Sequence, residues 1–445
     1  MIAGLIIRVR EHLAEPLNRT AMAVIVSTLM TSALGFGFWL VAALIFEPQT
    51  VGRDNALVSA MMLIATVCLL NLNNVLMRFL PQISEHVGRR VVQAYAISAG
   101  CSFVVALVFA LTAGSFSDDL EFLGDDPLWV VGFALICALW SIWVMQDAAL
   151  VALGKAAWMV PENATFSVLK IAALPVFFWI GDDHGVFMAY FVPALVVLPV
   201  INWMIFKRAV PRAAAAQTGA GGVVSVFGWR RLFIFSAQDF IGSAVGEIVV
   251  VAMPLLVISL LTATETAYFS VPFMLIAALD MMYYAVTVAL TTEAARDPRR
   301  VGQLTDLAVR RLTHFQLPVS LAIAVAAPLI LLPFPAEYAE NGTTVLRLLA
   351  LTSAMRAVVL FYEASARLQG HGARLMAAQV ANTAGVLGFA LLWAPEHGID
   401  GIAVGWLITH GVIAAVVLPG LLRFIRRPAV LARDLAEPLT DPARP

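Results

Sequence analysis

Apolar stretches long enough to span a bilayer recur from one end of this chain to the other, and nothing else in it constrains the fold as much. A hydrocarbon core of ~30 Å takes roughly 20 helical residues. Twelve such stretches can be placed, at about 21–45, 57–79, 91–113, 128–152, 164–180, 186–206, 233–258, 271–291, 312–333, 344–364, 376–394 and 402–422. Composition agrees: of 445 residues, 61% are hydrophobic and 13% charged. Ordinary globular domains carry ~25% charge. A soluble enzyme, a disordered chain and a basic nucleic-acid binder are therefore excluded. The three cysteines (Cys68, Cys101, Cys137) sit inside apolar runs without metal-site or disulfide spacing.

The distribution of charge orients the chain. Lys and Arg concentrate in cytoplasmic loops. With the N-terminus inside, 24 of the 28 basic residues fall on cytoplasmic ends or loops. The exceptions are Arg53 and Arg347, placed outside, and Lys170 and Arg356, placed within spans. The outer loops carry 14 acids, among them Asp118, Asp119, Glu121, Asp125 and Asp126. Both termini are thus expected in the cytoplasm, which requires an even number of spans. Residues 2–13 put Ile2, Leu5, Ile6, Val9 and Leu13 on one stripe, the pattern of an interfacial helix before the first span. No secretory signal is expected, since the first apolar run is too long and lacks a cleavage site.

The expected organisation is all-α: an interfacial segment (1–20), a six-helix bundle (21–206), a cytoplasmic linker (207–232), a second six-helix bundle (233–422) and a cytoplasmic tail (423–445). The linker is rich in Ala, Gly and basic residues. The two halves echo one another. Ser32-Ala33-Leu34-Gly35 recurs as Ser243-Ala244-Val245-Gly246, an offset of 211, and Ala56 and Ser59 match Ala267 and Ser270 at the same offset. Gly185 and Tyr190 match Gly401 and Trp406 at offset 216, and Val196-Val197-Leu198-Pro199 repeats as Val416-Val417-Leu418-Pro419 at offset 220. Six spans per half makes the repeat parallel, with its pseudo-axis along the membrane normal, a transporter architecture.

Polar groups inside the spans are the functional candidates, because a charge at the bilayer centre costs ~2.5–3.5 kcal/mol. Helix 2 carries Asn71, Asn73 and Asn74 ahead of Arg78; helices 4, 5 and 8 carry Asp147, Lys170 and Asp280; helix 10 carries Arg356 and Glu363. Helix 7 carries Gln238, Asp239 and Glu247, with Ser243 between the two acids on the same side. One reading is a cavity in which Arg78, Lys170 and Arg356 hold an anionic group while Asp147, Asp239, Glu247 and Asp280 bind protons or a cation. Asn71, Asn73, Asn74, Gln238 and Ser243 would line it. The alternative pairs Asp147 with Lys170 on adjacent helices, or lets charges near span ends snorkel to the interface. His314 and His410 have no other ligand at metal spacing, and no phosphate-binding glycine loop, nucleophile elbow or nucleotide domain is present. No metal, cofactor or catalytic residue is expected.

Several stretches resemble a known family. Residues 43–81, running through Val51-Gly52 to Arg78-Phe79-Leu80-Pro81, are similar to the opening of the Wzx-type polysaccharide flippases. These belong to the multidrug/oligosaccharidyl-lipid/polysaccharide exporter superfamily. Gln146-Asp147-Ala148-Ala149-Leu150 with Pro161-Glu162-Asn163 and Lys170 resembles the helix 4–5 region of actinobacterial members. Thr292-Glu293-Ala294-Ala295-Arg296, and Tyr338-Ala339 leading to Leu346-Arg347-Leu348-Leu349-Ala350, fit the same pattern. The resemblance implies two six-helix bundles in a V and the flipping of a polyprenyl-pyrophosphate-linked saccharide across a bacterial plasma membrane by alternating access. The partners implied are membrane lipid, the lipid-linked substrate and polysaccharide polymerases or glycosyltransferases, with no nucleic acid. A pyrophosphate would need paired cations in a low-dielectric cavity.

Three rival readings are distinguishable. A cation-coupled multidrug exporter shares the fold, and the acids of helix 7 favour it. A major-facilitator transporter also has twelve helices, but only Gly88-Arg89-Arg90 matches its loop 2–3 signature. A polytopic glycosyltransferase would place an acidic pair in the first outer loop, whereas Asp118-Asp119 and Asp125-Asp126 lie in the second.

Overall fold

The computed structural model describes residues 16–80, 86–212, 249–296, 301–369 and 371–426. Among these residues every regular element is helical. They group into two compact units, 1–264 and 265–445, each treated by itself below.

The first unit opens with α1 (Pro16–Ile45), α2 (Pro48–Cys68), the short α3 (Leu72–Phe79) and α4 (Val87–Thr112). It continues with α5 (Pro127–Ala152), α6 (Met159–Ile180), α7 (Gly185–Met204) and α8 (Val249–Leu260). Two of these helices start with proline after an extended residue, where the missing N–H costs nothing. At α5 the Asp126 side chain also accepts from the Leu128 N–H, which caps the helix. Helix α6 ends on Gly181 in the left-handed region, φ 75°, the usual glycine stop. α4 lies along α5, α1 along α6 and α6 along α7, with α2 against α4, α5 and α7.

Helix α2 departs from the expected span. It begins at Pro48 rather than 57, then breaks after Cys68, where Leu70 (φ 50°) and Asn71 (φ 60°) adopt left-handed backbone. The polar triplet Arg53-Asp54-Asn55 argues against early membrane entry, but Asp54 is fully buried. Its Oδ2 accepts from the Val186 and Phe187 N–H groups at 3.0 and 2.9 Å, so the carboxylate seats on the open N-terminus of α7. Beyond the break, Leu72, Leu76 and Leu80 turn back onto Val87, Val91 and Tyr95 of α4 and Met145 of α5. That apolar contact offsets the cost of two non-glycine left-handed residues.

The second unit comprises α9 (Ala263–Arg296), α10 (Val301–Ile330), α11 (Ala336–Leu368) and α12 (Gly372–Arg426). The first residues of α9 fall just before the boundary between the two units. α10 contains a π turn at Leu312–Gln316. α12 joins the two last expected spans, 376–394 and 402–422, into one helical run broken at Gly398 (φ 57°, ψ −144°), a conformation that only glycine tolerates easily. Tyr283, Phe361, Leu421 and Phe424 centre the core among α9, α11 and α12.

The exposed surface is that of a membrane protein. Trp179 is 87% exposed, Leu128 78% and Val325 73%, each on a helix long and apolar enough to cross a bilayer. Such an apolar exterior would aggregate in water. α2 is the central helix of its unit, with 72% of its most apolar window buried, whereas α10 is peripheral at 17%.

The internal repeat has a structural counterpart. Asp54 and Glu265 stand at the 211-residue offset of Ala56 and Ala267. Asp54 reaches the start of α7, and the Glu265 Oε1 lies 3.1 Å from where a Cβ would sit on Gly398, at the break of α12. The matched glycines are both places of close approach. A Cβ on Gly185 would lie 2.8 Å from the Phe46 ring, and one on Gly401 2.7 Å from the Trp393 carbonyl oxygen.

The N-terminal segment 1–15, residues 213–248 (most of the expected linker and the first part of the expected seventh span, with Gln238, Asp239, Ser243 and Glu247) and the tail beyond 426 lie outside the described residues. The polar stripe expected on helix 7 therefore has no structural account.

Candidate functional site

Lys170 is the most deeply buried of the expected cations. It sits at mid-length of α6, 3% exposed, with Phe166 one turn before it on the same face. Its Nζ lies 4.4 Å from the Tyr190 ring centroid, 5.1 Å from Phe38 and 5.3 Å from Phe166. Trp140 backs this cage, 5.5 Å from Tyr190 and 5.9 Å from Phe166. Aromatic faces attract a desolvated ammonium. Among the described residues no carboxylate pairs with Lys170, and Asp147 forms no ion pair with it. The site is thus a buried amine held by rings, with no anion beside it among the described residues.

In the second unit the structure joins two residues that sequence reasoning put in different roles. Arg356 of α11 sets its NH1 3.2 Å from Asp280 Oδ2 of α9. Ser353, three residues earlier on α11, donates to Asp280 Oδ1, and the Gln316 amide donates to the Ser353 hydroxyl at 2.8 Å. Gln316 belongs to the π turn of α10, where the extra residue rotates its side chain inward. A small pocket opens on the pair, lined by Phe273, Ile276, Leu349, Thr352 and Trp406. Trp406 stacks on the buried His410 at 5.8 Å. Asp280 is buried, while the Arg356 side chain keeps 24% of its surface. Glu363, further along α11, meets Arg367 at 3.6 Å. A guanidinium beside a carboxylate and a pocket can exchange its partner for another anion.

Asp147 joins a third cluster. Gln146 donates its amide to Glu162 Oε1, and Asn202 donates to Gln146 Oε1 at 2.8 Å. Asp147 and Tyr95 lie within electrostatic range of Glu162. Of the asparagines of helix 2, Asn71 forms the break and accepts from Asn74 at 2.5 Å, Asn74 is exposed and Asn73 half-buried. Arg78 lies near the end of α3. Among the described residues no group of three or more His, Cys, Asp or Glu is placed to hold a metal ion.

Sequence reasoning missed Asp54 and Glu162 as buried acids, and Gln316 and the aromatic cage as partners of the expected charges. Two signals pointed that way. Asp54 and Glu265 keep the repeat offset, and of Tyr190 and Trp406, matched at offset 216, the first faces Lys170 and the second lines the pocket beside Arg356.

No protein-family profile matches the chain. Nor does any curated protein match by sequence. Solved structures do match by fold. A multidrug resistance MATE family transporter of the MOP superfamily in an inward-facing conformation gives a TM-score of 0.68 at 15% identity, covering 93% of this chain and 99% of that one. The lipid II flippase MurJ in an inward closed conformation gives 0.61 at 12% identity, covering 93% and 92%. A MATE structure in a bent conformation gives 0.57 at 15% identity, covering 95% and 98%. The chain therefore has the helical fold that these solved structures share.

Proposed function

We propose that this protein is a flippase that moves a polyprenyl-pyrophosphate-linked saccharide across a bacterial plasma membrane by alternating access, without consuming ATP. The observation that carries this reading is Lys170, an ammonium enclosed by Phe38, Phe166 and Tyr190 with no carboxylate partner among the described residues. A buried cation without a counter-ion is costly, and an anionic head group arriving during the cycle would offset that cost. Arg356 supplies a second cation beside a pocket. Arg78 completes the expected set. The twelve-span arrangement with both termini cytoplasmic, and the coupling roles of Asp239, Glu247, Asp147 and Asp280, belong to the same proposal. A lipid flippase among the structural neighbours supports it.

Protein reconstituted in liposomes should move a lipid-linked saccharide between leaflets, and Lys170→Ala and Arg356→Ala should abolish movement while leaving the fold intact. Normal flipping by both variants would remove the role of the cations. The second reading is a cation-coupled multidrug exporter, favoured by the MATE neighbours, by the buried Glu162 and by the half-buried Asp147. Export of soluble cationic drugs with no response to lipid-linked saccharide would establish it instead.

A further inference from the structure

Helix α10 is longer than a bilayer requires. Its 30 residues measure about 45 Å at ~1.5 Å per residue, against a hydrocarbon core of ~30 Å. Leu321, Val325 and Leu329 are all exposed, so the apolar lipid face belongs to the Ile330 end and the excess length to the Val301 end. From Leu329 back to Arg310 the helix covers roughly 28 Å. Arg310 and Arg311 therefore fall where hydrocarbon gives way to head groups, on the side that the expected orientation makes cytoplasmic.

That end of the helix is held in place. Val301, Ala308 and Leu312 are buried in one core with Tyr283, Leu290 and Ala294 of α9, and the Tyr283 hydroxyl donates to the Ala308 carbonyl at 3.4 Å. With that face committed, Arg310 and Arg311 point outward, and both are exposed. Leu307, one turn before Arg310, is 48% exposed as well. Among the described residues neither guanidinium has an ion-pair partner. Asp306, four residues before Arg310, forms no ion pair with it, and Glu363 is taken by Arg367. Two neighbouring unpaired guanidiniums on a fixed helix at head-group depth match a phosphate, which a guanidinium can bind through two parallel hydrogen bonds. The apolar face that continues from them along α10 suits the acyl chains of the same molecule.

We infer that Arg310 and Arg311, at the foot of the lipid-facing stripe of α10, form a docking site for the head group of an anionic phospholipid. The occupant is a lipid of the surrounding membrane rather than the transported molecule. The inference holds under either transport reading, so its failure and the failure of the flippase reading are separate. A bound lipid would stabilise the second unit by mass action on the folded state.

The test is thermal unfolding of the purified full chain in a zwitterionic detergent, with phosphatidylglycerol and phosphatidylcholine of the same acyl chains titrated in parallel. Phosphatidylglycerol should raise the melting temperature by a few degrees more than phosphatidylcholine does, and in a saturable manner. The double variant Arg310→Gln with Arg311→Gln should lose at least half of that difference. Arg374→Gln, which removes another exposed arginine at the same end of the unit, should keep it. Four results would overturn the inference. They are an equal gain from both lipids, an undiminished difference in the double variant, an equal loss in Arg374→Gln, or an equal gain from inorganic phosphate. The third would mean undirected attraction to a basic rim, and the fourth a soluble anion instead of a lipid. Melting in detergent alone reports whether each variant folds. Should the double variant not fold, Arg311→Gln alone takes its place, and an undiminished difference there counts against the site.

Discussion

Truncating Arg356 should expose how the second unit holds Asp280. In the folded protein the carboxylate has two partners, the Arg356 guanidinium at 3.2 Å and the Ser353 hydroxyl, whose own position is set by Gln316. Removing one partner of a buried pair costs ~3–5 kcal/mol, since the remaining charge is left without compensation. Arg356 retains 24% of its side-chain surface, so solvent screens part of the interaction, and a cost below that range, about 2–3 kcal/mol, is expected for Arg356→Met. Methionine keeps most of the arginine stem and its packing near Trp406. Asp280→Asn keeps a group that can accept from Ser353 and should cost less. In the double variant no stranded charge remains, and most of the lost stability should return. The assay is a double-mutant cycle measured by reversible denaturant unfolding in detergent micelles, with a coupling energy near 2 kcal/mol as the expected result. Simple addition of the two single effects would refute the argument that the pair acts as a unit. Transport by the stable double variant then separates two readings: a folded but inactive protein gives the pair a part in transport, and an active one makes it structural.

Two other substitutions probe the geometry directly. Asp54→Asn keeps the shape but weakens the seat on the Val186 and Phe187 N–H groups, and should lower unfolding stability by ~1–2 kcal/mol in a denaturant titration. An unchanged midpoint would show that the carboxylate's charge contributes nothing there. Tyr190→Phe should leave stability within ~0.5 kcal/mol because the ring face toward Lys170 persists, whereas Tyr190→Leu should cost ~2 kcal/mol or more in the same titration. Equal losses in the two variants would assign the contact to the hydroxyl rather than the ring.

Much of the fold was legible because membrane crossing is written in run length. Apolar runs near 20 residues fix where most of the described helices lie. The start of α2 was not legible: a buried Asp54 looks like a loop residue until the α7 N-terminus that receives it is known. The left-handed break at Leu70 and Asn71 was hidden as well, since leucine carries no turn signal and the break is maintained by packing of Leu72, Leu76 and Leu80. Pairing between charges was hidden too. Arg356 and Asp280 stand 76 residues apart in the chain, so only proximity reveals that each is the other's partner.

Hydropathy and charge placement, which depend on single residues and their neighbours in the chain, therefore determined the membrane class and the candidate charges. Tertiary structure alone decided which of those charges are compensated. Desolvation makes a buried charge costly in proportion to what surrounds it, and its surroundings come from helices distant in sequence. Lys170 is met by rings from α1, α6 and α7, and Asp280 by an arginine and a serine from α11. Glu162 is met by a glutamine from α5 that leaves one of its oxygens unpaired.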